Sequence, residues 1–187
     1  LVEIINKEKK NTDLFPFTLT KPVIALLPGS RKQEIKKMMP VYKSVVNHFS
    51  NYEFIIAGVS NINKDWYNKF LKKDKIKIVY DNIYHLLKRS SAAIVTSGTA
   101  TLETALFDVP QIVCYKSSLF SYLVGKLFIK LKFISLVNII MDKEVVKELI
   151  QKDCSKRNIV YELSQLLKNE NILSVKKEYE TLRKKLG

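Results

Sequence analysis

The sequence predicts an α/β fold, a parallel sheet covered by helices on both faces. Three observations carry this. Apolar runs of strand length alternate with stretches of helical periodicity. Glycine-containing turns, Pro28-Gly29-Ser30-Arg31 and Ser97-Gly98-Thr99, follow two of those runs. After Tyr115 the pattern changes to helices alone.

The elements follow in order. Residues 1–5 read as a strand or linker. Val23–Leu27 is apolar at every position, as a strand buried on both faces must be. Residues 40–49 read as a helix with Pro40 in its first turn, where the missing N–H costs nothing. A second strand spans 54–57, a helix Lys64–Leu71, a weaker strand 77–79 and a helix Ile83–Lys88. Residues 92–95, extending to Thr96, form a buried strand, 100–107 a helix and Gln111–Tyr115 another strand. Beyond it Leu119, Leu123, Leu127 and Leu131, flanked by Phe120, Val124 and Phe128, make an apolar stripe at helical spacing. Helices over 143–151, 156–167 and 172–186 complete a Rossmann-like sheet with C-terminal helices.

With 187 residues, 47% of them hydrophobic, the chain is one domain or a domain with an appendage and has enough apolar residues for a sizeable core. Cys114 and Cys154 fit neither a disulfide framework nor a metal knuckle, which suits a reducing, cytosolic setting. The net charge of +14 suits an anionic partner such as a nucleotide, an anionic lipid surface or nucleic acid, but a solvated lysine-rich surface is the favoured reading. Residues 1–10 mix acidic and basic side chains where the apolar core of a secretory leader would lie. In the greasiest segment, 119–141, Lys126, Lys130 and Lys132 interrupt the run of about 18 apolar residues that spanning requires. Its stripe reads as core or subunit interface, with an interfacial membrane helix as the alternative.

The turn chemistry points to an anion. At Ser97-Gly98-Thr99-Ala100, glycine admits close approach of a ligand, and the first-turn N–H groups and dipole of the following helix favour negative charge. Glu103 sits one turn further, suited to a pair of sugar hydroxyls. The competing account is a helix cap, but a capping box needs Ser or Thr at position 100, which is Ala. Gly29, Ser30 and Arg31 offer N–H groups, a hydroxyl and a guanidinium to a diphosphate, or form an ordinary turn. Neither turn is a G-x-G-x-x-G or Walker fingerprint. Both follow strands of one sheet, so both can face one cleft. Tyr80-Asp81-Asn82 could meet a base edge, though a plain turn explains it equally well. Asn138, Glu148 and Gln151 are candidate polar lining, the last two at i, i+3 of a helix, with surface placement as the alternative. His48 and His85 stand apart from other metal ligands, so no metal is expected.

Leu26-Leu27-Pro28-Gly29-Ser30-Arg31-x-x-Glu34-Ile35, the run Ser97 through Glu103, Pro110-x-x-Val113-x-Tyr115, Ser135-Leu136-Val137-Asn138 and Val146-Lys147-Glu148-Leu149-Ile150-Gln151 together resemble the C-terminal half of lipid-A-disaccharide synthases. The resemblance covers nearly the whole chain. The first two blocks alone would indicate only a GT-B glycosyltransferase, being similar also to the peptidoglycan N-acetylglucosaminyltransferase.

The resemblance implies the nucleotide-binding half of a GT-B enzyme that transfers 2,3-diacylglucosamine from UDP to 2,3-diacylglucosamine 1-phosphate (lipid X), without metal or other cofactor. It implies that Gly29, Ser30 and Arg31 meet the pyrophosphate, with Arg31 stabilising the leaving group. Ser97, Gly98, Thr99 and Ala100 would hold phosphate, Glu103 the ribose, and Tyr80 would lie near the uracil. It further implies residues 1–20 as an interdomain segment and 21–187 as the UDP-sugar domain, with a helical extension over 155–187. The acceptor domain and general base would lie in an absent N-terminal half, leaving this piece inactive alone. Such enzymes are cytoplasmic, peripheral at the inner membrane face, and dimers that exchange C-terminal segments. The alternatives are another UDP-sugar GT-B transferase, an epimerase of similar fold, or a non-catalytic basic module at a membrane surface. Nucleic acid is not expected, since no aromatic basic platform is present.

Overall fold

A computed structural model describes residues 1–10, 15–71, 76–96, 98–116 and 132–187. The apolar stripe over 119–131 and Ser97 lie outside the described residues.

Six parallel strands form one sheet in the order β3-β2-β1-β4-β5-β6. They are β1 (Val23–Leu27), β2 (Glu53–Gly58), β3 (Ile76–Tyr80), β4 (Ser90–Thr96), β5 (Gln111–Tyr115) and β6 (Lys147–Ile150). The helices are α1 (Val2–Lys10), α2 (Lys32–Val46), α3 (Lys64–Leu71), α4 (Ile83–Lys88), α5 (Thr99–Leu106), α6 (Leu136–Met141), α7 (Lys156–Leu166) and α8 (Asn169–Leu186). This is the expected Rossmann-like α/β architecture.

Two cores explain why β1 is apolar throughout. Val23, Ala25 and Leu27 of β1 face one cluster, shared with α4, α5 and α8 residues such as Leu86, Ala105 and Leu182. Ile24 and Leu26 face the other, with Ile35, Met39 and Tyr42 of α2 and Ile159 of α7. The period-two alternation of a strand places successive side chains of β1 in different cores, and all five are apolar.

Several elements depart from the sequence reading. Residues 2–10 form a helix, not a strand, and bury Ile5 in the first core. Pro40 lies inside α2 and not at its start: the helix begins at Lys32 because the apolar positions Ile35, Met38, Met39 and Tyr42 already pack on the sheet. Pro40 itself is exposed, so the hydrogen bond it forfeits faces water. The expected helix over 143–151 is instead β6, an edge strand paired with β5 from Ile112↔Lys147 to Tyr115↔Ile150. The free edge of β5 supplies backbone partners that a local pattern cannot reveal.

Asp108, in the left-handed conformation just after α5 (φ 62°), ties the two ends of the chain to this body. Lys9 Nζ reaches its Oδ2 at 2.8 Å and Arg183 Nη1 its Oδ1 at 2.6 Å. Nearby, the buried Gln111 Nε2 donates to Thr101 O at 2.8 Å and to the Tyr179 hydroxyl at 3.3 Å, fastening α8 to the sheet.

Candidate functional site

The sheet order reverses at β1, whose neighbours β2 and β4 carry chain away to opposite sides. At such a switch point the loops diverge and leave a crevice beyond the carboxyl ends of the strands. A cleft of about 560 Å³ opens there. Its walls come from four strands in turn: Pro28 to Arg31 after β1, Gly58 and Val59 at the end of β2, Asp81 and Ile83 after β3, and Thr96 with Gly98 to Ala100 after β4. The two glycine turns that the sequence singles out therefore face one space.

Each turn uses its glycine. Gly29 has φ +94°, and a Cβ there would stand 2.5 Å from Glu34 Oε2. Gly98, the residue before α5, has φ +146°, and a Cβ there would meet nothing within 4 Å, so the backbone borders open space. α2 and α5 both begin at the cleft and direct the positive ends of their dipoles toward it. The Arg31 guanidinium adds a charge on a side chain that is 82% exposed and able to move onto a ligand. The arrangement suits a multiply charged anion.

Glu34, which the sequence reading assigned no role, braces the first turn. Its Oε2 accepts from the Arg31 N–H at 3.4 Å and its Oε1 from Arg31 Nη1 at 3.3 Å. A carboxylate three residues after a glycine turn, in the first turn of a helix, was the signal that could have found it.

The structure brings Gly29, Ser30, Arg31, Gly98, Thr99 and Ala100 together at the cleft. Glu103 does not itself line the cleft: it lies one turn beyond Ala100 on α5 and accepts a hydrogen bond from the Tyr84 hydroxyl at 3.0 Å. Tyr80 is not among the cleft-lining residues. Its ring packs 5.8 Å from Tyr67, under the Lys64 ammonium at 5.2 Å, while Asp81 (φ 54°) turns the chain into the cleft wall.

Asn138, Glu148 and Gln151 do not line this cleft either. Asn138 is fully buried, its Oδ1 accepting from Val145 N–H at 2.8 Å and Val146 N–H at 2.9 Å, and its Nδ2 donating to Val146 O and Glu148 Oε1, both at 2.8 Å. Glu148 also accepts from the N–H groups of Ile134 and Ser135 at 2.9 Å and from Ser135 Oγ at 2.8 Å. These side chains knit the segment before α6 to β6. Gln151 (φ 50°) ends that strand and donates its N–H to Tyr115 O at 2.8 Å. The helical i, i+3 relation expected of Glu148 and Gln151 is absent because the segment is a strand.

Comparison with known proteins agrees with this architecture. Two solved structures superpose over most of the chain and share its fold: a calicheamicin glycosyltransferase (TM-score 0.63, 10% identity, 94% of this chain and 41% of that one) and an S. aureus protein, MnaA, solved with UDP (TM-score 0.56, 15% identity, 94% and 42%). The lipid-A-disaccharide synthase of Coxiella burnetii (strain CbuK_Q154) is 38% identical over 161 residues, which are 84% of this chain and 43% of that protein. The chain thus spans less than half the length of that relative. The family model for lipid-A-disaccharide synthetase matches residues 1–186, and on that match, with the switch-point cleft and its two glycine turns, the chain belongs to the lipid-A-disaccharide synthetase family.

Proposed function

We propose that this chain is the donor-binding part of an inverting hexosyltransferase that moves 2,3-diacylglucosamine from UDP onto 2,3-diacylglucosamine 1-phosphate, forming a disaccharide and releasing UDP. The observation that carries the reading is the convergence of Arg31 and the N-termini of α2 and α5 on one cleft. Transfer at an anomeric carbon breaks the bond to the diphosphate, and the departing oxygens gather negative charge. Fixed N–H groups, helix dipoles and a mobile guanidinium stabilise that charge without reorganising water. They do so without a metal. In the proposed orientation Gly29, Ser30 and Arg31 meet the pyrophosphate, Gly98 to Ala100 the second phosphate face, Glu103 the ribose, and the Asp81 to Ile83 wall the base.

The acceptor hydroxyl needs a base to become a nucleophile. We assign that base and the lipid X site to a further domain outside this chain, so this piece binds donor but does not turn over alone. The charge of +14 supports attachment at an anionic cytoplasmic membrane face, with a homodimer exchanging C-terminal segments as the assembly.

Calorimetric titration of UDP tests the central claim. Loss of one charge-assisted hydrogen bond costs roughly 1.5–3 kcal/mol, so Arg31→Ala and Glu103→Ala should each weaken binding on the order of ten- to a hundredfold. Unchanged affinity in both sinks the assignment. A donor screen of UDP-diacylglucosamine against UDP-N-acetylglucosamine separates it from another UDP-sugar transferase or an epimerase. Binding to anionic vesicles or oligonucleotides that collapses with salt and ignores UDP would instead mark a basic surface module.

A further inference from the structure

A glutamate side chain has three rotatable bonds and holds a hydroxyl pair well only if something holds it first. For Glu103 that support comes from the neighbouring helix. Tyr84, the second residue of α4, donates its hydroxyl to Glu103 Oε1 at 3.0 Å, and Oε2 has no hydrogen-bond partner among the described residues. The tyrosine ring is itself fixed: it stacks on Phe107 with centroids 5.2 Å apart and planes at 29°, and Phe107 is buried in the first core. Lys9 Nζ lies over the Phe107 ring at 5.9 Å. Ile83, preceding Tyr84, and Ala100, one turn before Glu103, both line the cleft. Tyr84 and Glu103 are not themselves among the residues lining the cleft; the pair stands one residue behind its α4 wall and one turn behind its α5 wall, with one carboxylate oxygen occupied and the other unpartnered among the described residues.

We infer that Tyr84 is the positioning residue for Glu103: its hydroxyl fixes the carboxylate so that Oε2 is presented to a vicinal diol, which makes the cleft prefer a ribonucleotide over one lacking sugar hydroxyls. This rests on the reading of the cleft as a nucleotide site. Burial first, and then the facing Glu103 carboxylate, push the Tyr84 phenol up to about 12, so it stays a donor at physiological pH. Without it the carboxylate loses a charge-assisted hydrogen bond and regains rotamer freedom.

The test titrates UDP and 2′,3′-dideoxy-UDP into the full chain and into Tyr84→Phe, Glu103→Gln and the double variant. Tyr84→Phe should weaken UDP roughly five- to tenfold and leave dideoxy-UDP unchanged. The double variant should bind UDP no worse than Glu103→Gln alone, because the two residues act as one unit. Equal losses for both nucleotides would give Tyr84 a packing role only and overturn the inference. So would unchanged UDP affinity in Tyr84→Phe when Glu103→Gln still abolishes the preference. If Glu103→Gln itself leaves the preference intact, or the unaltered chain binds no UDP, the cleft reading fails and the inference with it. Phenylalanine keeps the stacked ring, and equal melting temperatures confirm that the fold is not what changed.

Discussion

At the scale of single residues, the most tightly specified side chain is one that does not face the cleft. Asn138 is fully buried and spends both ends of its amide on the backbone of Val145 and Val146 and on Glu148. Asn138→Ala would leave the buried Val146 N–H, the half-buried Val145 N–H and part of a carboxylate without partners. Each such loss costs roughly 1–3 kcal/mol, so the variant should lose about 3 kcal/mol or more, read as a fall in the urea midpoint at constant slope. UDP affinity should be unchanged if the variant folds, because Asn138 does not line the cleft. From the sequence this residue reads as cleft lining or surface, and it is neither. A polar side chain in such a place either serves a ligand or serves the backbone, and only its neighbours in space decide which.

At the scale of elements, α2 shows packing overruling a local signal. Pro40 reads as a helix start, yet the helix begins eight residues earlier and buries Ile35, Met38 and Met39 before the proline is reached. Interior proline costs roughly 3 kcal/mol relative to alanine through its missing N–H and its clash with the preceding turn. With Pro40 exposed and on no core face, Pro40→Ala should stabilise the chain by about 1 kcal/mol or more and raise its melting temperature. A fall would show that the kink itself fits α2 to the sheet. β6 fails in the opposite sense. Residues 143–151 carry a periodicity that permits a helix, but β5 leaves an edge free, and the Asn138 amide takes the N–H groups of Val145 and Val146 just ahead of it.

At the scale of the molecule, acid stability should follow a few carboxylates. Glu53 is lowered to about 2, chiefly by its bond to Lys77 Nζ at 2.6 Å and by the Thr20 N–H at 2.9 Å. Burial opposes ionisation of Asp108, but Lys9 and Arg183 outweigh it and hold that group below the usual range as well. A carboxylate depressed on folding stabilises the native state above its unfolded value, roughly 4. That contribution drains away as pH falls toward the folded value. Unfolding followed by circular dichroism should therefore show stability falling from about pH 4.5 down to about 2, and Asp108→Asn should flatten part of that slope. A variant with an identical acid limb would show that the clamp joining α1, α5 and α8 adds nothing.

The sequence by itself determined the alternation of strands and helices around β1, the parallel class of the sheet and the two glycine turns of the cleft. Those features are short-range: a strand buried on both faces must be apolar at every position, and a backbone that borders an anion must shed its side chain. The tertiary structure alone decided that residues 147–150 join the sheet, that Gly58, Val59, Asp81 and Ile83 complete the cleft, and that Tyr84 reaches Glu103. Each of these depends on partners distant along the chain, brought together by the crossover connections of a parallel sheet. Such pairings leave no periodic trace in the segments that make them.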